Sequence, residues 1–524
     1  AACGPAAPGI AHMWHMPGHT YSRLKRYGDA VWQQEASARV DHSHMIRYQI
    51  VPDQISNFAH NNEWLIRNLN YLGRARKSLD LARNMIELPR LAKFDKKVYD
   101  PSGSWRYGKQ RLRDTLLRFE LWDELIGYAE NSQYLASDPK VILPLEWNRI
   151  LAIAKYETGD KQGGEKHLKA IETLLAGETG KRDKAVADAE AKARKAKKSD
   201  KQIAESKKAA EKNFSKEITN RQNALNEVRV YAALTTEPIA KKKALEFLPK
   251  LKNLGKSRHA TLWNRAGDAK KAIELAAKAV GESKSEVHPL AVQVALLHQA
   301  GEIDKARTAF DKLRIVAGGA DIDLPIFVKL ASVAKAFGFP EKWQTPSSPA
   351  SDLGERPELD SLGPFRWSPP TAPGWSLSDA TGKPTSLSDF KGRPVLVIFY
   401  LGKGCSHCME QLNDFAPVTE AYSKAGIPIV AISTDTAKGL AETFQTSDGK
   451  DSKNPFPFPL LSDANLETFK AYRAYDDFEN QALHGTFLID GDGRIRWQNI
   501  SYEPFMYAEW LLKECQRLLS FEES

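Results

Sequence analysis

A short pattern that keeps returning constrains this chain more than any other feature. "LKRYGDA", "YLGRARKSLDLA", "YETGDKQGG", "NRAGDAKKAIELA" and "HQAGEIDKARTAF" recur between amphipathic stretches over most of residues 10 to 345. Each joins a helical period to a small-residue turn and then to an alanine-bearing second helix. Such a helix pair cannot bury its apolar face alone, and stacking on the next pair completes the core. Residues 1–345 are therefore expected to form an α-solenoid of about five to seven degenerate repeats. Long insertions around 42–58 and 90–105 interrupt the spacing.

At 524 residues the chain is too long for one core. Inside the solenoid, "AVADAEAKARKAKKSDKQIAESKKAAEKNFSKEITNRQNALNEV" is mostly Ala, Lys and Glu, strong helix formers with few large apolar residues. It predicts a charged, exposed helical arm at about 177–225. The formal net charge is +9, but much of the lysine excess lies between Lys181 and Lys216 and not on an interleaved basic and aromatic surface. That is a solvated face, and no nucleic-acid partner is expected. No run of 18 apolar residues exists, so no transmembrane helix is expected. Residues 346–373, rich in Pro, Ser and Asp, keep no periodicity and read as a linker or extended wrap. In residues 374–524 short apolar runs, "PVLVIFY", "IPIVAIS" and "GTFLIDGDGRIRW", alternate with helical stretches, which calls for an α/β sheet. The expected fold class is multidomain, an α-solenoid followed by an α/β domain.

The solenoid resembles tetratricopeptide repeats. Trp14, Gly18, Tyr21 and Ala30 fall at that family's Trp, Gly, Tyr and Ala spacings, and Gly301, Ala306 and Phe310 match a later copy. This frame gives meaning to "AHMWHMPGHTY", Ala11 to Tyr21, which puts three of the chain's 12 histidines close together. His12, His15 and His19 stand at i, i+3 and i+7, within roughly 60° of one another on a helix. The resemblance implies that they take positions lining the concave surface. A second frame, from "YLGRARKSLDLARNMIELP", implies the same for His60, Glu63 and Arg67 on the neighbouring first helix. His12, His15, His19, His60 and Glu63 are thus a candidate site for copper, iron or zinc. The plain reading is that the imidazoles hydrogen-bond within a polar groove, or meet a peptide. Pro17 could kink the helix and take His12 and His15 off the face. His42 and His44 lie in the insertion. The segment also resembles an uncharacterised bacterial tetratricopeptide group with H-M-P-[SG]-H and a downstream H-N.

Four cysteines are too few for a disulfide framework, yet Cys405 and Cys408 form a C-x-x-C pair between an apolar strand and the helix "MEQLNDFAPVTEAY". A thiol at a helix N-terminus feels the macrodipole and free N–H groups, which favour the thiolate. A cysteine three residues on lies one turn away, within disulfide reach. His407, between them, adds a donor and, when protonated, a charge, which predicts an oxidising couple. Cys515, in the apolar frame of "WLLKECQRLL", reads as a core thiol.

This domain resembles the thioredoxin-fold redoxins, the AhpC/TSA-like group that joins peroxiredoxins with membrane-anchored thiol reductases. Likeness to the reductases implies that Cys405 attacks and Cys408 resolves. Likeness to peroxiredoxins, through the "EQL" after Cys408, puts the peroxidatic position at Cys408, and both roles stay open. Ahead of "TFLID", where the reductases carry proline and peroxiredoxins arginine, this chain has His484-Gly485. A histidine facing two cysteines also resembles, in part, the copper chaperones of cytochrome oxidase, which implies a copper site of Cys405, Cys408 and His484.

Three functional readings follow. One is a thiol-disulfide or peroxide oxidoreductase working through Cys405, Cys408, His407 and His484, with the solenoid presenting a protein or peptide substrate or redox partner. Another is a metalloprotein with a histidine-lined groove and an accessory redoxin domain, and the third is an interaction scaffold. No organic cofactor is evident. A chain starting at Ala1 without methionine reads as processed or partial and, with the redoxin type, points to an extracytoplasmic, periplasmic location.

Overall fold

The computed structural model describes residues 2–94, 103–135, 143–283, 285–346, 350–354, 356–443 and 456–521. Parts of the expected 90–105 insertion and of the 346–373 linker lie outside them.

The N-terminal region is built of consecutive helices. Helices α1 (Ala11–Arg23), α2 (Tyr27–Tyr48), α3 (Phe58–Tyr71), α4 (Ala75–Glu87), α5 (Ser104–Arg118), α6 (Trp122–Glu130) and α7 (Pro144–Glu157) each pack on the next. Two long helices, α8 (Lys161–Lys195) and α9 (Asp200–Thr235), follow. The series resumes with α10 (Lys256–Arg265), α11 (Ala269–Glu282), α12 (Val287–Gln299) and α13 (Ile303–Val316). The recurring turn has one conformation: Gly73, Gly159, Gly267 and Gly301 sit at φ between 73° and 98°, in the left-handed region that costs glycine nothing. Lys25 and Glu120 hold the same region at φ 59° and 56° without a glycine. One apolar cluster runs from Val31 to Trp343 through Leu69, Leu116, Leu297 and Phe310. Stacked pairs share their core in this way.

The first pair is locked by Trp14, fully buried, whose indole N–H donates to the Pro8 carbonyl at 3.0 Å. Helix α1 runs unbroken through Pro17, so His12, His15 and His19 stay on one helix. A Cβ at Gly18 would come within 2.4 Å of the Gln34 side chain, which shows how closely α1 and α2 approach.

The charged arm is a helical hairpin of α8 against α9. Ser199 caps α9 with a reciprocal Gln202 capping box. Leu168, Ile171, Leu225, Val228 and Tyr231 root the hairpin in a core, so it is longer than the 177–225 stretch that composition marks.

The linker is strapped to the solenoid. Arg39 Nη1 donates to the Gly363 carbonyl at 2.8 Å, and Asn84 exchanges two hydrogen bonds with the Trp367 backbone. Trp367 packs with Met45, Phe58 and Leu88. His42 is buried under this strap, 3.1 Å from the Pro364 carbonyl, while His44 is exposed.

The C-terminal domain is a seven-stranded mixed sheet of β1 (Ser376–Ser378), β2 (Pro384–Ser386), β3 (Val395–Tyr400), β4 (Ile429–Ser433), β5 (Leu460–Ser462), β6 (His484–Ile489) and β7 (Ile495–Ser501), in the order β2-β1-β5-β4-β3-β6-β7. Strand β3 runs parallel to β4 and antiparallel to β6. Every residue of β3, β4 and β6 is buried, as expected of central strands covered on both faces. Helices α14 (Ser406–Phe415) and α15 (Ala508–Leu519) complete a thioredoxin-fold domain.

The two domains meet through charge as well as apolar surface. Glu514 of α15, fully buried, accepts from the Arg90 backbone N–H at 2.9 Å and side chain at 2.6 Å, and pairs with Arg517 at 2.7 Å. Arg517 also donates to the Ile86 and Leu88 carbonyls, both at 2.8 Å.

Candidate active site

Strand β3 ends in a tight loop that turns into α14. Cys405 is the N-cap of α14, and its Sγ accepts the Cys408 backbone N–H at 3.2 Å. This is the place where a sulfur bearing negative charge is stabilised by free N–H groups and the helix dipole. The two cysteines are joined as a disulfide, with Cα atoms 5.3 Å apart. Cys408 is fully buried and accepts the Leu401 N–H at 3.3 Å, whereas Cys405 is half-buried.

His484, first residue of β6, faces the pair from the neighbouring strand. Its Nε2 lies 3.2 Å from Cys408 Sγ and 3.7 Å from Cys405 Sγ. Burial pushes this imidazole below its ordinary range, with the backbone at Tyr502 and Ser501 acting in the opposite sense. At neutral pH it is therefore an uncharged ring that can take a proton or give one. His407, by contrast, is exposed and lies 3.5 Å from Glu503. It lines a groove of about 380 Å³ with Leu91, Lys93, Phe505 and Tyr507, where the two domains adjoin.

Supporting residues that the sequence reading missed hold the loop. Asp435 Oδ2 accepts the Lys403 N–H at 2.9 Å and the Ser433 hydroxyl at 3.0 Å, and the Thr434 hydroxyl donates to the Leu401 carbonyl at 3.0 Å. Gly402, at φ 92°, passes so close that a Cβ would lie 2.5 Å from the Asp435 carboxylate. Gln411 of α14, fully buried, donates to Thr486 Oγ1 at 3.2 Å and to the Phe505 carbonyl at 3.1 Å. The available signal was "ISTD" at the end of the second core strand, where a turn-forming Asp reaches the loop after the first.

The AhpC/TSA family matches residues 370–498, the segment that carries these side chains. The chloroplastic peroxiredoxin Q of Sedum lineare is 31% identical over 153 residues, 28% of this chain and 77% of that protein. The chain belongs to the peroxiredoxins. A Mycobacterium tuberculosis protein assigned provisionally to the same family is 35% identical over 130 residues, 24% of this chain and 78% of its own length. The crystal structure of the peroxidoxin BcpB from that organism aligns over 29% of this chain and 96% of its own, with 23% identity and a TM-score of 0.25. The two sequence relatives each cover about a quarter of the chain.

In the helical region the structure brings together three of the five histidine-groove candidates. Ligand atoms of His15, His19 and His60 lie within 4.8 Å of one another. His12 is exposed, its ring centroid 6.0 Å from that of His15. Glu63 turns away to Arg111, which it meets at 2.6 and 3.0 Å. Cys515 is a fully buried free thiol whose pKa burial pushes up.

Proposed function

We propose that the peroxiredoxin domain is a thiol peroxidase or thiol-disulfide oxidoreductase that cycles Cys405 and Cys408 between dithiol and disulfide. The observation that carries this reading is the N-capping disulfide with the His484 ring over both sulfurs. Cys405 is the attacking sulfur, because it is the more accessible of the two and receives the helix N–H. Its thiolate attacks the distal oxygen of a peroxide, the O–O bond breaks, and the alkoxide leaves as an alcohol after taking a proton. Cys405 is then a sulfenic acid. The Cys408 sulfur attacks it, water leaves, and the disulfide forms. An external dithiol returns the pair to the reduced state. With a disulfide substrate the first step gives a mixed disulfide that Cys408 resolves in the same way. His484 takes the thiol proton and returns it to the leaving oxygen or sulfur.

The solenoid serves as the platform for a protein or peptide partner, with the groove beside His407 as the entry to the dithiol. The test is a redox titration with peroxide consumption on the full chain. A two-electron couple that disappears in Cys405→Ser and in Cys408→Ser supports the cycle. Peroxide and disulfide reduction that survive both replacements would falsify it.

A second reading has its own observation. In the reduced form Cys405, Cys408 and His484, with ligand atoms within 4.8 Å of one another, offer two soft thiolates and an imidazole, a set that suits Cu(I). Titration of the reduced protein against a Cu(I) chelator tests it. Retention of copper by Cys408→Ser with unchanged affinity would exclude this ligand set.

A further inference from the structure

Helices α1 and α3 lie side by side, and from them three imidazoles converge in a place that the dithiol chemistry does not use. His15 is fully buried, and neither of its ring nitrogens has a hydrogen-bond partner among the described residues. Gln34, which packs on the same turn, donates its amide to the His15 carbonyl at 3.4 Å and lies against the ring. A buried imidazole without partners carries a desolvation cost that a folded protein normally offsets with a hydrogen bond or a metal.

The neighbouring rings supply the rest of a ligand set. His19 Nε2 and His60 Nε2 are 3.3 Å apart. Two imidazole nitrogens bound at about 2.0–2.1 Å to one tetrahedral ion stand about 3.3 Å apart, so this spacing is that of two ligands on one metal. The ring centroid of His15 is 4.3 Å from that of His19 and 4.9 Å from that of His60. Burial lowers the pKa of all three rings, and the other imidazoles add to this for His15 and His19. They are neutral near pH 7, the form that binds a metal. Trp64 closes one side, its ring 4.4 Å from that of His19. The two other candidates stand apart: Glu63 is held by Arg111, and His12 faces solvent.

We propose that His15, His19 and His60 bind one divalent transition-metal ion of the zinc class, with a fourth position left to water or an exogenous ligand. Three neutral nitrogen donors suit Zn(II) and its neighbours Cu(II), Ni(II) and Co(II) better than hard, oxygen-seeking cations. The site is separate from Cys405 and Cys408 and stands whether or not the dithiol is a redox centre.

The experiment uses the full chain carrying Cys405→Ser and Cys408→Ser, so that thiolates cannot hold the ion, and titrates Zn(II) against a chromophoric chelator. One Zn(II) per chain is expected. Adding His19→Ala or His60→Ala, both at half-buried positions, should weaken it at least 100-fold, while His12→Ala leaves it within twofold. Affinity unchanged by both His19→Ala and His60→Ala, or no Zn(II) held by the parent, overturns the proposal. If those variants lose helicity, Co(II) is added to the parent instead. An intense tetrahedral d–d spectrum supports the site, and a weak octahedral one overturns it.

Discussion

His484 faces both sulfurs at the place where the resemblance to peroxiredoxins implies an arginine, and an imidazole there alters the chemistry available to the dithiol. A guanidinium is a fixed charge and cannot take up a proton. A buried imidazole, lowered in pKa by its surroundings, is neutral at pH 7 and can accept a proton. His484→Gln keeps a donor but loses that proton uptake, so oxidation of the reduced dithiol by hydrogen peroxide should slow about 100-fold, as read by stopped-flow tryptophan fluorescence. Because the base must be neutral, the wild-type rate should rise with pH through a value below the ordinary histidine range and level off by pH 7. Other buried histidines govern stability instead. Burial lowers His42 to about 4 and the half-buried His288 to about 3. The unfolded chain takes up these protons near pH 6.5 and the folded chain does not, so the stability is complete above about pH 6.5 and is lost as pH falls. Between pH 7 and 5 each should cost about 2 kcal/mol. Urea midpoints measured at both values should fall accordingly, and less in His288→Leu than in the wild type.

Among the elements, the start of α14 is the one on which the proposed activity depends. Its cysteines were legible in the sequence because C-x-x-C between an apolar strand and an amphipathic stretch encodes a sulfur at a helix N-terminus. His484 was legible from its register ahead of "TFLID". The loop's support was not, since Asp435 reaches Lys403 across two parallel strands from 32 residues away in sequence. Gly402→Ala tests that support. The new Cβ meets the Asp435 carboxylate at a residue with φ 92°, and strain of this kind costs about 1–3 kcal/mol. We expect a loss of that size in chemical denaturation and slower disulfide formation, with the sheet's circular dichroism retained. The histidine-bearing helices show the same division. Spacing placed His12, His15 and His19 on one face of α1 and His60 and Glu63 on the matching face of α3, and the structure leaves His12 exposed. Glu63 went elsewhere because Arg111, on a helix two elements later, binds it at 2.6 Å, a partner that no local spacing announces.

For the whole molecule, the decisive contact is between the helical N-terminal region and the peroxiredoxin domain. Glu514 is held well below the usual carboxylate range: burial alone would raise it, but the Arg517 and Arg90 guanidinium groups outweigh burial. It is charged and paired at neutral pH, and this part of the stability is present above the ordinary carboxylate pKa and lost as pH falls below it. Glu514→Gln removes the charge of the buried carboxylate that Arg90 and Arg517 share and should cost about 3–5 kcal/mol. Differential scanning calorimetry should then resolve two transitions where the wild type shows closer coupling of its domains. The linker works in the same direction: the sequence reading allowed a free spacer or a wrap, and Arg39, Asn84 and Trp367 make it a strap.

What the sequence by itself determined is local and periodic. Helical repeats, the charged arm, the strand pattern and the cysteine pair each follow from residues within one or two turns of each other, where sterics, capping and burial of a single face act directly. Tertiary structure alone decided which of the five histidine-groove candidates meet and which sulfur is the accessible one. It also decided that His407 faces Glu503 while His484 faces the disulfide, and that α15 closes on Arg90. Those outcomes depend on distances between elements far apart in the chain. Packing of the shared cores sets such distances, and a change of a few ångströms there decides between a ligand, an ion pair and a side chain in water.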